Sequence, residues 1–172
     1  RSAMPAFKAV RLCPNLVLLP VRFDLYRAES AKIREIFAQF TELIEPLSLD
    51  EAYLDVSHLQ SKATSISAEI RDRIREETQL TASAGIAPNK FLAKVASDWR
   101  KPDGQFEVTE SGIDEFVENL PVEKIWGVGK RTAEKIHRLG IATCGDMQKW
   151  SQIDLHRHFG KFGSALYHLC RG

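Results

Sequence analysis

IEPLSLDEAYLDVS, residues 44–57, is the stretch on which the fold turns. Leu47 and Leu49 alternate with polar neighbours, Asp50-Glu51 interrupts, and Tyr53 to Val56 resumes a β-like run. The pattern predicts a hairpin with an acidic tip. Neighbouring side chains of a regular strand point to opposite faces, and two adjacent carboxylates repel each other. The pair therefore makes physical sense at a turn where a divalent cation relieves the repulsion. An isolated Asp-Glu is more commonly a plain polar turn, so the wider sequence has to decide between the two.

Outward from the hairpin, the N-terminal side opens irregularly around Pro5, Pro14 and Pro20. Asp24 is then placed to cap a helix whose apolar residues Ile33, Ile36, Phe37, Phe40 and Ile44 recur at helical spacing. On the C-terminal side, Ile66, Ile70 and Ile74 line one face of a second amphipathic helix over residues 63–78. LTASAGIA reads as a half-buried strand, Pro88-Asn89 opens a helix carrying Phe91, Leu92, Val95 and Trp99, and Gln105 to Val108 reads as another strand. Lys101-Pro102-Asp103-Gly104 is the turn before it. Taken together, residues 25–110 predict an α+β unit with helices packed on a mostly antiparallel sheet. Beyond Ser111 the β signal stops and short helices punctuated by Pro121 and several glycines take over, so a boundary is expected near residue 110.

With 172 residues, 44% hydrophobic and 27% charged, the chain has the material for a buried core. No stretch approaches the roughly 20 apolar residues of a membrane span, and a soluble protein with no membrane partner is expected. The three cysteines form no CxxC pair, which points to a reducing, cytoplasmic compartment. The net charge of +1 is unevenly distributed. Residues 1–120 carry 15 Lys and Arg against 19 Asp and Glu, while residues 121–172 carry 9 against 4. A basic C-terminal third suits a polyanion and an acidic remainder suits divalent cations, although either is also what an ordinary solvated surface looks like.

A second constellation lies in that basic third, Ile125-Trp-Gly-Val-Gly-Lys-Arg-Thr-Ala-Glu-Lys-Ile136. Glycines at 127 and 129 permit positive φ and close approach of backbone N–H groups to a phosphate, the following helix offers its positive end, and Lys130 and Arg131 add charge. Such contacts grip a nucleic-acid backbone without reading bases. A glycine turn between packed helices explains the glycines but not the basic residues around them. Other features carry no assigned role. His156-Arg157-His158, with His137 and His168 elsewhere, lacks metal-ligand spacing. Trp99, Trp126 and Trp150 are too dispersed for a stacking platform and are expected in packing, and Arg71, Arg73 and Arg75, followed by Glu76-Glu77, read as a solvated helix face.

SLDEAYLDV resembles the palm motif of Y-family DNA polymerases, and ASAGIAPNKFLAK, residues 82–94, resembles that family's next motif. RSAMP at the start, KPDGQF and the glycine hairpin extend the resemblance over essentially the whole chain, closest to the bacterial DinB branch. The resemblance implies an end of the fingers over residues 1–24, a catalytic palm over 25–110 and a helix-hairpin-helix thumb over 111–172. It implies DNA-templated addition of dNTPs to a primer 3′-hydroxyl in translesion synthesis, with two Mg2+ ions, Asp50 as a metal ligand and Glu51 as the adjacent catalytic carboxylate. Lys101 would contact the triphosphate, with Arg1 and Lys90 as weaker candidates, and Gly127, Gly129, Lys130 and Arg131 would hold DNA. For Lys101 the alternative is a lysine that simply complements a helix end. Asp55 is expected to be structural. The partners implied are primer–template DNA and dNTP, with a sliding clamp a further candidate for the parent.

Family members carry an earlier strand with another metal-binding Asp and a bulky residue that excludes a ribose 2′-hydroxyl. The chain, which begins at Arg1, is expected to be a piece lacking both, with weak metal binding and no useful turnover. Two rivals stand beside this reading: a non-catalytic module that binds DNA backbone, and a nucleotide cyclase on a similar sheet, which the helix-hairpin-helix disfavours.

Overall fold

The computed structural model describes residues 4–59 and 62–172. The chain opens with a short helix, α1 (Ala6–Leu12), none of whose residues is buried, where the prolines had suggested irregular chain. An exposed extended arm follows, and Leu16, Val17, Leu18, Leu19 and Val21 all face outward from it.

Helix α2 (Phe23–Ala38) buries Ile36 completely. Asp24 lies in its first turn and Arg22 is the residue that precedes it, so the expected Asp24 cap is displaced by two residues. The helix also stops earlier than its apolar spacing suggests. Buried Thr41 accepts a hydrogen bond from the Leu43 N–H (3.0 Å) and donates one to the Asp55 carbonyl (2.7 Å). This local hydroxyl bonding competes with helix continuation and turns Ile44 into strand β1 (Ile44–Pro46).

Strand β1 pairs antiparallel with β2 (Ala52–Leu54), Ile44 opposite Leu54 and Pro46 opposite Ala52, so Asp50-Glu51 is at the hairpin tip as expected. Helix α3 (Ala63–Thr78) closes over this ladder with Ile66, Ile70 and Ile74 buried, and these with Ile36 form a small core that Leu54 and Val56 flank.

Strand β3 (Ala84–Ile86), helix α4 (Lys90–Ala96) and strand β4 (Gln105–Glu107) follow. Asn89 caps α4, its side chain accepting from the Leu92 N–H at 2.9 Å. The α+β class holds, while the strand pairing is more divided than expected. Among the described residues there are two two-stranded ladders, and β3 and β4 run parallel. The intervening helix explains the direction, because a crossover of a dozen or more residues returns the chain to the same end.

The remaining helices are α5 (Ile113–Glu118), α6 (Lys130–Arg138), α7 (Cys144–Gln148), α8 (Gln152–Phe159) and α9 (Lys161–Leu169), with a 3-10 turn at Val122–Lys124. Their core is continuous with α4 and β4: Leu92, Val95 and Val108 pack in the same cluster as Leu120, Ile136 and Leu166. Trp99, Phe106 and Phe116 form an aromatic triangle with centroids 5.0–5.8 Å apart across the boundary expected near residue 110. No described helix is long and apolar enough to cross a membrane.

Candidate nucleotidyl-transfer site and nucleic-acid interface

The hairpin tip is built by its own backbone. The Leu47 and Ser48 N–H groups both donate to the Glu51 carbonyl, at 2.9 and 3.2 Å. Ser48 donates its hydroxyl proton to the Asp50 carboxylate at 2.6 Å, which fixes that side chain against the turn. Arg34 of α2 donates to the Ser48 carbonyl at 3.2 Å and ties the tip to the helix behind it. Asp50 and Glu51 are both exposed.

Helix α4 lies alongside. Lys94 forms an ion pair with Glu51, and Lys90 one with Glu45 on β1. Lys90 also stands over the Tyr53 ring, 5.8 Å from its centroid. Burial, chiefly, raises the Tyr53 phenol above its ordinary pKa. Lys94 is only 18% exposed and is the closest cationic partner of the predicted catalytic carboxylate. The sequence reading passed over it, although Lys90 and Lys94 are four apart and so share one face of a helix.

Asp50 and Glu51 offer hard oxygen donors of the kind that divalent magnesium takes. Among the described residues no three acidic, His or Cys side chains converge as a metal-binding group. The pair therefore fits as part of a coordination sphere, not as the whole of one. Asp55, expected to be structural, accepts from the Ser57 N–H at 2.9 Å, and this bond holds its carboxyl below the usual range.

Lys101 follows α4, is exposed, and forms an ion pair with Asp98 three residues earlier. The turn that carries it is anchored from behind. Arg71 donates to the Asp103 carbonyl at 2.6 Å, to the Asp103 carboxylate at 2.9 Å and to the Ala82 carbonyl at 2.9 Å, and Arg75 reaches both Asp103 carboxylate oxygens at 2.8 Å. The solvated-face reading of Arg71 and Arg75 is thereby corrected: Arg71 is 13% exposed and both bind Asp103. Arg73 is also engaged, in a 3.9 Å pair with Glu77 and 5.6 Å from the centroid of the Phe40 ring. Arg1 lies outside the described residues.

Of the two hairpin glycines expected to use positive φ, Gly127 does and Gly129, at φ −81°, does not, and a 3-10 turn stands ahead of them. Gly127 adopts φ +92°, a conformation that side chains disfavour, and an added Cβ would press on Phe162 at 3.3 Å. Gly129 precedes α6 with no capping side chain and nothing within 4 Å of where a Cβ would stand. The first N–H groups of α6 have no intrahelical acceptor and no side-chain cap, and Lys130 and Arg131 beside them are exposed. Arg131, Thr132, Lys135, His158, Phe159 and Phe162 line a shallow groove on this side. Trp126, next to Gly127, is 66% exposed, contrary to the packing role expected of it.

Residues 1–98 match the impB/mucB/samB family, and residues 123–172 match a family described as the DNA polymerase-iota thumb domain. The chain is 56% identical to DNA polymerase IV of Ectopseudomonas mendocina (strain ymp) over 175 aligned positions, covering all of this chain and 50% of that relative. It is 57% identical to DNA polymerase IV of Stenotrophomonas maltophilia (strain R551-3), with 49% of that relative covered. Among solved structures, DinB from Sulfolobus solfataricus superposes with a TM-score of 0.90 at 30% identity, over 99% of this chain and 51% of that one. An insertion ternary complex of Dbh DNA polymerase superposes at 0.87, also at 30% identity, over 99% and 51% of the two chains. The chain thus spans about half the length of the curated relatives it matches.

Proposed function

Because the chain belongs to the Y-family of DNA polymerases, DinB (DNA polymerase IV) type, we propose that it forms the catalytic palm and the DNA-gripping thumb of a polymerase that extends a primer across damaged template. One observation carries the reading: an exposed carboxylate pair at a hairpin tip, with Glu51 ion-paired to Lys94, and a glycine-hairpin helix end lie in a single chain. The first is what phosphoryl transfer needs and the second is what a duplex backbone needs.

Asp50 and Glu51 would hold divalent magnesium. The bound ions supply charge neutralisation at the attacking hydroxyl and at the leaving pyrophosphate. The chain's own residues do the rest. The Ser48 hydroxyl and the Glu51 carbonyl fix the tip, Lys94 keeps Glu51 turned toward α4, and Lys101 exchanges Asp98 for the triphosphate of the incoming dNTP. On the thumb, Gly127 and Gly129 clear the approach for a phosphate to the α6 N–H groups, and Lys130 and Arg131 add sequence-independent attraction. Residues 1–24 serve as the end of the fingers. Taken alone, the 172 residues would bind metal weakly and extend primers poorly, since the two carboxylates complete only part of a metal site. A cytoplasmic setting and sliding-clamp recruitment by the whole enzyme are extensions of the same reading.

The test uses the full-length protein. Asp50→Ala and Glu51→Ala are each expected to abolish primer extension while leaving primer–template affinity unchanged. Extension that survives both substitutions would make the acidic tip structural and overturn the roles proposed for Asp50 and Glu51, whereas unsubstituted protein that binds primer–template DNA and extends nothing would establish the rival reading, a module that binds DNA backbone without catalysis.

A further inference from the structure

The turn bearing Lys101 is held by a network that the reaction itself does not require. Arg71 uses its guanidinium as a three-way bracket: Nε to the Ala82 carbonyl, and one terminal nitrogen to both the carbonyl and the carboxylate of Asp103. Arg75 adds a fork to both carboxylate oxygens of Asp103 and braces itself on Asp72 at 2.8 Å. Asp103 sits in the left-handed region at φ +47°, a conformation that costs free energy unless its surroundings fix it. The next residues are fixed from the same helix and from β3. Gly104 donates its N–H to the Ser83 hydroxyl at 3.4 Å and accepts from the Ala84 N–H at 2.9 Å, while Gln105 donates to the Thr64 carbonyl of α3 at 3.0 Å. Gly104 has no room for a side chain, because a Cβ would lie 2.0 Å from the Arg100 carbonyl. Lys101 itself stands outside this network, exposed and, among the described residues, paired with Asp98.

We infer that Arg71, with Arg75 in support, is a positioning residue that acts through Asp103 to aim Lys101 at the triphosphate of the incoming nucleotide. The inference rests on the proposed role of Lys101. Charge-assisted, forked hydrogen bonds are both strong and directional, and a displacement of about 1 Å at a ligand contact is enough to cost up to about 100-fold in function. The Arg71 guanidinium is committed to Asp103 and Ala82. Its influence is on where the Lys101 ammonium stands.

The experiment measures the dissociation constant of dNTP from full-length protein bound to primer–template DNA with a dideoxy-terminated primer, so that binding is read without turnover. The variants are Lys101→Ala, Arg71→Ala and the two combined, with primer–template affinity recorded alongside. Each single substitution is expected to weaken dNTP binding by about tenfold, the double to be no weaker than Lys101→Ala alone, and DNA affinity to stay constant. If Arg71→Ala leaves the constant unchanged, or if the two losses multiply, the clamp does not act through Lys101 and the inference is overturned. If Lys101→Ala itself has no effect, the role of Lys101 falls, and the inference with it, whatever Arg71→Ala does. Should Arg71→Ala fail to fold, Asp103→Asn carries the same comparison, since asparagine tolerates the left-handed backbone and both removes the charge and replaces one acceptor oxygen of the fork by an NH2 donor.

Discussion

Asp103 concentrates what single residues contribute to this chain. Arg75 first, and then Arg71, hold its carboxyl below the usual carboxylate range, and Asp103 in turn raises the Arg75 guanidinium. The sign of the linkage follows. A carboxylate with a depressed folded pKa contributes stability that is fully present above its unfolded value of about 3.9 and is lost as the pH falls through the folded value. Asp146 and Asp55 are depressed as well, mainly by backbone N–H donors at Ala142 and Ser57. Stability is therefore expected to decline below about pH 4, and Asp103→Asn to flatten that decline in acid unfolding followed by circular dichroism. A decline identical to wild type would show that the Arg–Asp network contributes nothing.

The same residue shows what sequence could and could not disclose. Asp50 and Glu51 were legible because their meaning is local, two carboxylates interrupting an alternating run. Arg71 was not, because its partner lies 32 residues further on and its own neighbours, Arg73 to Glu77, imitate a solvated face. Lys94 fell between the two. Its helical phase with Lys90 was readable, but the hairpin it faces could be found only from the fold.

At the scale of elements, the two closing helices depend on a missing side chain. Gly163 of α9 lies so close to α8 that a Cβ would stand 2.0 Å from the Leu155 carbonyl oxygen and 2.4 Å from its carbon. Backbone cannot yield as a flexible side chain does, so Gly163→Ala is expected to cost at least about 3 kcal/mol, at the upper end of overpacking losses. A urea midpoint close to wild type would mean that α8 and α9 can separate freely. The helices themselves were readable from apolar spacing, and α3 from its three isoleucines in particular. Their ends were less so, since Thr41 stops α2 through contacts with Leu43 and Asp55 that spacing does not encode. The parallel β3–β4 pairing was in principle legible, because strand, helix and strand in succession form a crossover. The strands are three residues each, too short for their own pattern to declare a direction.

For the molecule as a whole, charge and core divide the chain differently. The basic excess gathers in residues 121–172, yet the main core runs from Leu92 to Cys170 without a break at residue 110. The surface that would grip DNA is thus packed onto the same core as α4, which carries the lysines facing the hairpin. Backbone binding of the proposed kind must weaken with salt through release of counterions. Titration of primer–template DNA at several salt concentrations is expected to show sequence-independent affinity, and Lys130→Ala to reduce the slope of log K against log salt by about 1. A slope that Lys130→Ala leaves intact would move the contact away from the α6 end.

Trp126 stands beside Gly127 with most of its indole in water, whereas Trp99 is wedged against Phe106 and Phe116 and Trp150 meets His158 edge-on. The hairpin therefore carries its own lamp. With Trp99 and Trp150 replaced by phenylalanine, excitation at the red edge of the indole band, beyond the tyrosines, would light one tryptophan of these 172 residues at the spot where a phosphate is to arrive, and a change in its colour or brightness would time that arrival without any attached dye.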